Sequence, residues 1–197
     1  MDELDFSMRA AREYAPDFDA DERLRAAEPR RKMARDAALA LLKQHKVTMP
    51  AVDVEALARA CGLAVVFVEV EGKLSGQLYP DQREIVINTR GRSRERQRFT
   101  LAHELGHWRL THHLSDMPLP ADTLGYSGVF EQDSESEGRS AFEIEANTFA
   151  SELLIPSPWI RKIAKPLSAG LPQQLAQTYD VSREAMFYQL MRCGRFT

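Results

Sequence analysis

Two imidazoles and a carboxylate fall within five residues at His103-Glu104-Leu105-Gly106-His107, the H-E-x-x-H spacing. On a helix turning about 100° per residue, His103 and His107 lie about 40° apart and can face one metal ion together. Glu104 sits one step round, within reach of a water on that ion, where it would serve as a general base. Leu101, Leu105 and Trp108 cluster on the opposite side of the same wheel, so the helix is expected to bury one face and offer the other to a site. Ala102 and Gly106 leave a flank open to close packing. A helix shaped by core burial alone has no use for two imidazoles on its other face, which favours the metal reading.

A catalytic zinc takes three protein ligands and keeps its fourth position for water, so a further ligand must come from elsewhere. The candidates are His112 and His113 just after the helix, Cys61 upstream, and the carboxylates of residues 142–156. That last stretch reads as a second amphipathic helix stopped by Pro156, with Phe142, Ala146, Phe149 and Leu153 within about 60° on one face. Glu143 borders that face and is the preferred ligand. Glu145 is expected to point outward, about 160° away, with Thr148 and Glu152. Asn147, one turn on from Glu143, would accept the spare N–H of a ligating imidazole and hold its tautomer. Tyr79 and Tyr126 are candidate oxyanion donors, with packing or loop roles as the plainer alternative.

Arg98-Phe99-Thr100-Leu101-Ala102 leading into the H-E-x-x-H segment, and Glu143-Ile144-Glu145-Ala146-Asn147-Thr148-Phe149-Ala150 running into Leu153-Leu154-Ile155-Pro156, together resemble the ImmA/IrrE family of metallo-endopeptidases. The similarity runs from about residue 53, through the strands and Ser75-Gly76, to residues 179–182; residues 1–30 have no counterpart. The two motifs in this order are more specific than either alone. The resemblance implies a zincin-like fold and zinc held by His103, His107 and Glu143. It also implies cleavage of a helix-turn-helix transcriptional repressor, as several members perform in toxin–antitoxin or stress responses. One departure is charge: residues 116–145 hold eight acidic side chains and one basic, Arg139.

The elements that must position these groups are legible on either side of them. Met33, Ala37, Leu41 and Leu42 recur at helical spacing from Arg31 until Pro50. A short helix follows, with Asp53 as N-cap, Val54, Leu57 and Ala58 as its buried stripe and Gly62 as its stop. Residues 63–70, 74–79 and 84–88 read as strands, and Pro80-Asp81-Gln82 is short enough for a hairpin turn. The sheet is therefore expected to be small, mostly antiparallel and packed on the metal helix, with 74–79 as an edge able to take a substrate as an added strand. Residues 114–138 read as a long acidic loop and 1–30 as a flexible arm. The remainder, 31–197, reads as one zincin-like α+β domain with helical N- and C-terminal parts.

The chain has 197 residues, 26 Lys+Arg against 29 Asp+Glu for a net charge of -3, and 44% hydrophobic residues, which allows one good core. That balance gives no electrostatic reason to expect direct nucleic-acid binding or an anionic membrane. Arg90, Arg92, Arg94, Arg96 and Arg98 read as a solvated face free to pair with the acidic loop. Residues 175–186 read as helix, turn, helix, but Arg183, Arg192 and Arg195 are the only Lys or Arg side chains in 183–197. A core stripe of Met186, Phe187, Leu190 and Met191 accounts for that segment more simply. No stretch approaches the roughly 18 apolar residues of a spanning helix, and Met1-Asp2-Glu3-Leu4-Asp5 opens no leader, so a cytoplasmic protein is expected. Cys61 and Cys193, each before a glycine, read as reduced thiols at helix ends. The function expected is hydrolysis of peptide bonds in a protein substrate by a water activated on zinc or another divalent ion. The alternative is an antitoxin-like regulator whose zinc is structural and whose partner is sequestered uncut; Glu104 speaks against it, since a structural site has no use for a general base.

Overall fold

The computed structural model describes residues 29–112, 141–163 and 170–195. In chain order its elements are helices α1 (Arg31–Gln44) and α2 (Val54–Ala60) and strands β1 (Ala64–Val68), β2 (Gly76–Tyr79) and β3 (Glu84–Asn88). Helices α3 (Arg94–Arg109), α4 (Ala141–Leu154), α5 (Ser157–Arg161), α6 (Leu171–Tyr179) and α7 (Arg183–Arg192) follow. This is an α+β architecture. The acidic loop, with Tyr126 and His113, lies outside the described residues, as does all of the expected arm except Pro29 and Arg30. No helix among the described residues is long and apolar enough to cross a membrane.

The three expected strands form one sheet in the order β1-β3-β2. β2 and β3 make the expected antiparallel hairpin, Tyr79 opposite Glu84, and β2 is an edge strand. The sheet is nevertheless mixed rather than mostly antiparallel, because β1 runs parallel to β3 from Ala64 opposite Glu84 to Val68 opposite Asn88. The physical reason is the link from β1 to β2, which passes the end of β3 instead of folding back as a hairpin. Asn88, buried at that end, holds the link in place. Its Nδ2 donates to the carbonyls of Val70 and Leu74, both at 3.0 Å, and its Oδ1 accepts from the amides of Val70 and Arg90.

Local signals hold where they are strongest. Asp53 accepts the Ala56 amide at 2.9 Å, and Val54, Leu57 and Ala58 are buried. Gly62, at φ +80°, ends α2 with its own amide on the Arg59 carbonyl and the Leu63 amide on that of Ala58, the paired closure for which a left-handed residue is needed. Cys61 and Cys193 are free thiols capping α2 and α7. In α1 the phase is one residue from the expected stripe: Ala34, Ala38, Leu41 and Leu42 are buried while Met33 is exposed. Two alanines make a weak apolar signal, yet their small side chains let α1 lie close along α4.

α3 crosses β2 and β3 over the buried Leu78, Ile85 and Ile87, and packs its other side against α4. Gly106 sits at that crossing. A Cβ there would meet Phe149 Cδ1 at 3.1 Å and the Ala146 carbonyl oxygen at 3.2 Å. Gly106→Ala gains about 1 kcal/mol of helix propensity but overpacks against backbone that cannot yield, at about 1–3 kcal/mol. A net loss of about 1 kcal/mol is expected; a thermal melt at or above that of the parent protein would show that α4 moves away freely.

The alternating arginines are a solvated face only in part: Arg90 and Arg94 are exposed, while Arg92, Arg96 and Arg98 are drawn in. Arg98 donates to the carbonyls of Val52 and Asp180 and, with Arg94, reaches the Asp180 carboxylate; Arg92 donates to the Leu74 carbonyl and to Ser75 Oγ. Arg96 also donates to Ser75 Oγ, and Arg90 pairs with Glu71. The run ties α3 to the β1–β2 link and to the turn between α6 and α7. In that turn Asp180 adopts φ 54°, the left-handed conformation usually supplied by glycine. The stripe expected in α7 is half right: Met186 and Leu190 are buried, whereas Phe187 and Met191 are exposed. Polar contacts complete the docking, with Gln189 donating to the Ile155 carbonyl and Arg192 pairing with Glu152.

Candidate metal centre

From Thr100 to His107 every residue of α3 is buried, including His103, Glu104 and His107. The histidine face is therefore closed over by α4 rather than open to solvent. α4 enters beside it with Glu143 in its first turn. The Glu143 carboxylate lies 3.3 Å from His103 Nε2 through Oε2 and 3.1 Å from His107 Nε2 through Oε1. The two Nε2 atoms are 3.0 Å apart. Among the described residues, His103, His107 and Glu143 thus form a cluster that could hold a metal ion.

The donor set fits a metal ion. Four ligands at about 2.0–2.1 Å around zinc lie roughly 3.3 Å from one another, close to the three spacings observed. Burial by itself would raise the Glu143 carboxyl, but the adjoining His103 and His107 outweigh it and hold it well below the usual carboxylate range. The Glu143 carboxyl is thereby kept in the anionic form that ligates a metal.

Each imidazole is also held from behind. His103 Nδ1 lies 2.8 Å from Asn147 Oδ1. His107 Nδ1 lies 3.0 Å from Nδ1 of His112, whose Nε2 is 3.0 Å from Glu145 Oε2. Of the other ligands weighed, His112 therefore stands behind His107, and Cys61 ends α2 with its thiol pushed up by burial. The Tyr79 hydroxyl, on the edge strand, donates to Gln77.

Glu145 does not point outward. It is 1% exposed and accepts from Arg30 three times: the backbone amide at 2.8 Å and Nε at 3.0 Å on Oε1, and a terminal nitrogen at 3.0 Å on Oε2. Burial raises its carboxyl, and the stronger pull of Arg30 and His112 brings it below the ordinary value. The wheel separated Glu145 from Glu143 correctly; what it missed is that α1 covers the other side of α4. Thr148 and Glu152 are buried there too, Glu152 accepting the amide and hydroxyl of Ser157. His112, buried and stacked on Phe142 with ring centroids 4.3 Å apart, is pushed down to about 4 by burial and by His107. Its position just beyond α3 was the signal available in the sequence. Beside the cluster a cavity of about 80 Å³ reaches His103 and Asn147 between Phe99, Leu154, Ile155 and Ala185.

In fold the chain is similar to a Mycobacterium tuberculosis transcriptional regulator, with a TM-score of 0.53 at 13% sequence identity. The likeness covers 81% of this chain and 46% of that one, so the chain spans less than half the length of the regulator. No curated protein matches it in sequence. The family model Peptidase_M78, the IrrE N-terminal-like domain, matches residues 58–191, which include the two histidines and the carboxylate of the cluster. The chain belongs to the Peptidase_M78 family of metallopeptidases.

Proposed function

We propose that this protein is a zinc-dependent endopeptidase of zincin-like fold, and that its substrate is a helix-turn-helix transcriptional repressor. The observation that carries the reading is the convergence of His103, His107 and Glu143 beside Glu104 on the buried face of α3. His103, His107 and Glu143 would hold the zinc, which would supply Lewis-acid polarisation of a carbonyl and a water of lowered pKa. Glu104 takes the proton of the attacking water and passes it to the leaving amine, so no covalent intermediate is needed. Asn147 holds the His103 ring by accepting its Nδ1–H. The edge strand β2 takes an extended substrate segment by main-chain pairing, and the apolar walls of the cavity suit an aliphatic side chain beside the scissile bond. Tyr79 and Tyr126 stand as oxyanion donors to be tested by Phe substitution.

The repressor rests on the family resemblance, and the cut is expected in an extended linker, because only a strand-like segment pairs with an edge. Incubation of the zinc-loaded protein with any helix-turn-helix repressor that a neighbouring reading frame encodes, with fragments read by mass, tests this. Chelator-sensitive cleavage within a linker is expected. The fold likeness to a transcriptional regulator favours one second reading, a regulator that sequesters its partner; stable binding without cleavage, indifferent to chelator, would establish it instead.

A further inference from the structure

We propose that His112, Glu145 and Arg30 form a positioning relay that fixes the tautomer and ring orientation of His107. This rests on the reading of His103, His107 and Glu143 as the metal site, and it goes beyond that reading in assigning a task to three residues that do not ligate. The argument is one of proton accounting. A neutral imidazole carries one ring proton, so a His107 that gives Nε2 to a metal must carry its proton on Nδ1. The atom 3.0 Å from that Nδ1 is Nδ1 of His112, which must then be bare in order to accept. The His112 proton is thereby placed on Nε2, 3.0 Å from Glu145 Oε2, where an ionised carboxylate accepts it. Arg30 closes the chain by clamping both oxygens of Glu145 with its guanidinium and one of them with its backbone amide.

Each contact admits one arrangement of protons. Were His112 protonated on Nδ1, two N–H groups would face each other across 3.0 Å, and the ligating form of His107 would be disfavoured. The stacking of His112 on Phe142, with ring planes 11° apart, sets the angle at which the relay meets His107. The relay also links the metal centre to the start of α1, 115 residues before Glu145 in the chain. Partners of this kind commonly change metal affinity by about 10–100-fold when removed.

The test compares His112→Phe, which keeps a flat ring against Phe142 but removes both nitrogens, with His112→Gln, which restores an acceptor and a donor on one planar group. Zinc affinity of the full chain is measured by competition with a chromogenic chelator. Phe is expected to weaken binding by about 10–100-fold, and Gln to recover most of it. Zinc binding by His112→Phe as tight as the parent's, or equal loss in both variants, overturns the relay and leaves the metal centre standing. A parent protein that takes up no zinc refutes the metal centre itself. A long-range 1H–15N spectrum of the zinc-loaded parent, independent of how any variant folds, is expected to show His112 protonated on Nε2 and bare on Nδ1; the opposite tautomer overturns the proposal.

Discussion

Glu104→Gln is expected to bind metal with the stoichiometry of the parent and to cleave the proposed repressor substrate about 10²–10⁴-fold more slowly, the range a positioned general base contributes. The three ligands are untouched by the change. Glutamine matches glutamate in shape, so a side chain buried at 4% exposure is replaced without a void. What is lost is the capacity to take a proton from water and return it to the leaving amine. Metal content, measured on the same sample, separates this loss from a loss of zinc. Equal cleavage by the two proteins would remove Glu104 from the mechanism, and with it the strongest argument against a structural metal.

The parts of this protein that could be read from its sequence are those that depend on near neighbours. The spacing within α3, the cap at Asp53, the closure at Gly62 and the hairpin before Glu84 each concern residues a few positions apart, and their geometry follows from one helix or one turn. The placing of Glu143 and Asn147 against the histidines follows from two such helices packed on small residues, Gly106 and Ala146. The failures share a different cause. Whether the far side of α4 meets water depends on α1, whose approach is governed by Ala34 and Ala38, residues with little hydrophobic signature. Arg30 and Glu145 are 115 residues apart, and Asp180 meets Arg98 across 82. A charged residue on a helix reads as solvated unless its partner is known. The parallel pairing of β1 with β3 is likewise set by Asn88 gathering a link that no turn motif marks.

Two carboxylates on one helix separate the metal from the frame that holds it. Glu143→Ala should abolish the rise in Tm that zinc gives the parent, because metal bound to the folded state alone adds about 3–4 kcal/mol at a hundred- to thousand-fold excess over Kd. At roughly 2–4 °C per kcal/mol for a chain of this size, that is a loss of about 10 °C in the presence of zinc, with a smaller shift without it from the lost contacts to His103 and His107. Glu145→Ala should show the opposite signature. It leaves the buried His112 Nε2–H without its acceptor, at about 1–3 kcal/mol, while Arg30, with 56% of its side chain exposed, turns to water at small further cost. Its Tm should therefore fall with or without zinc, and zinc should still bind at higher concentration. The surface reading of Glu145 predicted only a few tenths of a kcal/mol, so the size of the zinc-free shift decides between exposure and burial. If Glu145→Ala strips the metal while Glu143→Ala retains it, the helical phase that aims Glu143 at His103 and His107 is wrong, and Asn147 and His112 lose the roles assigned behind them.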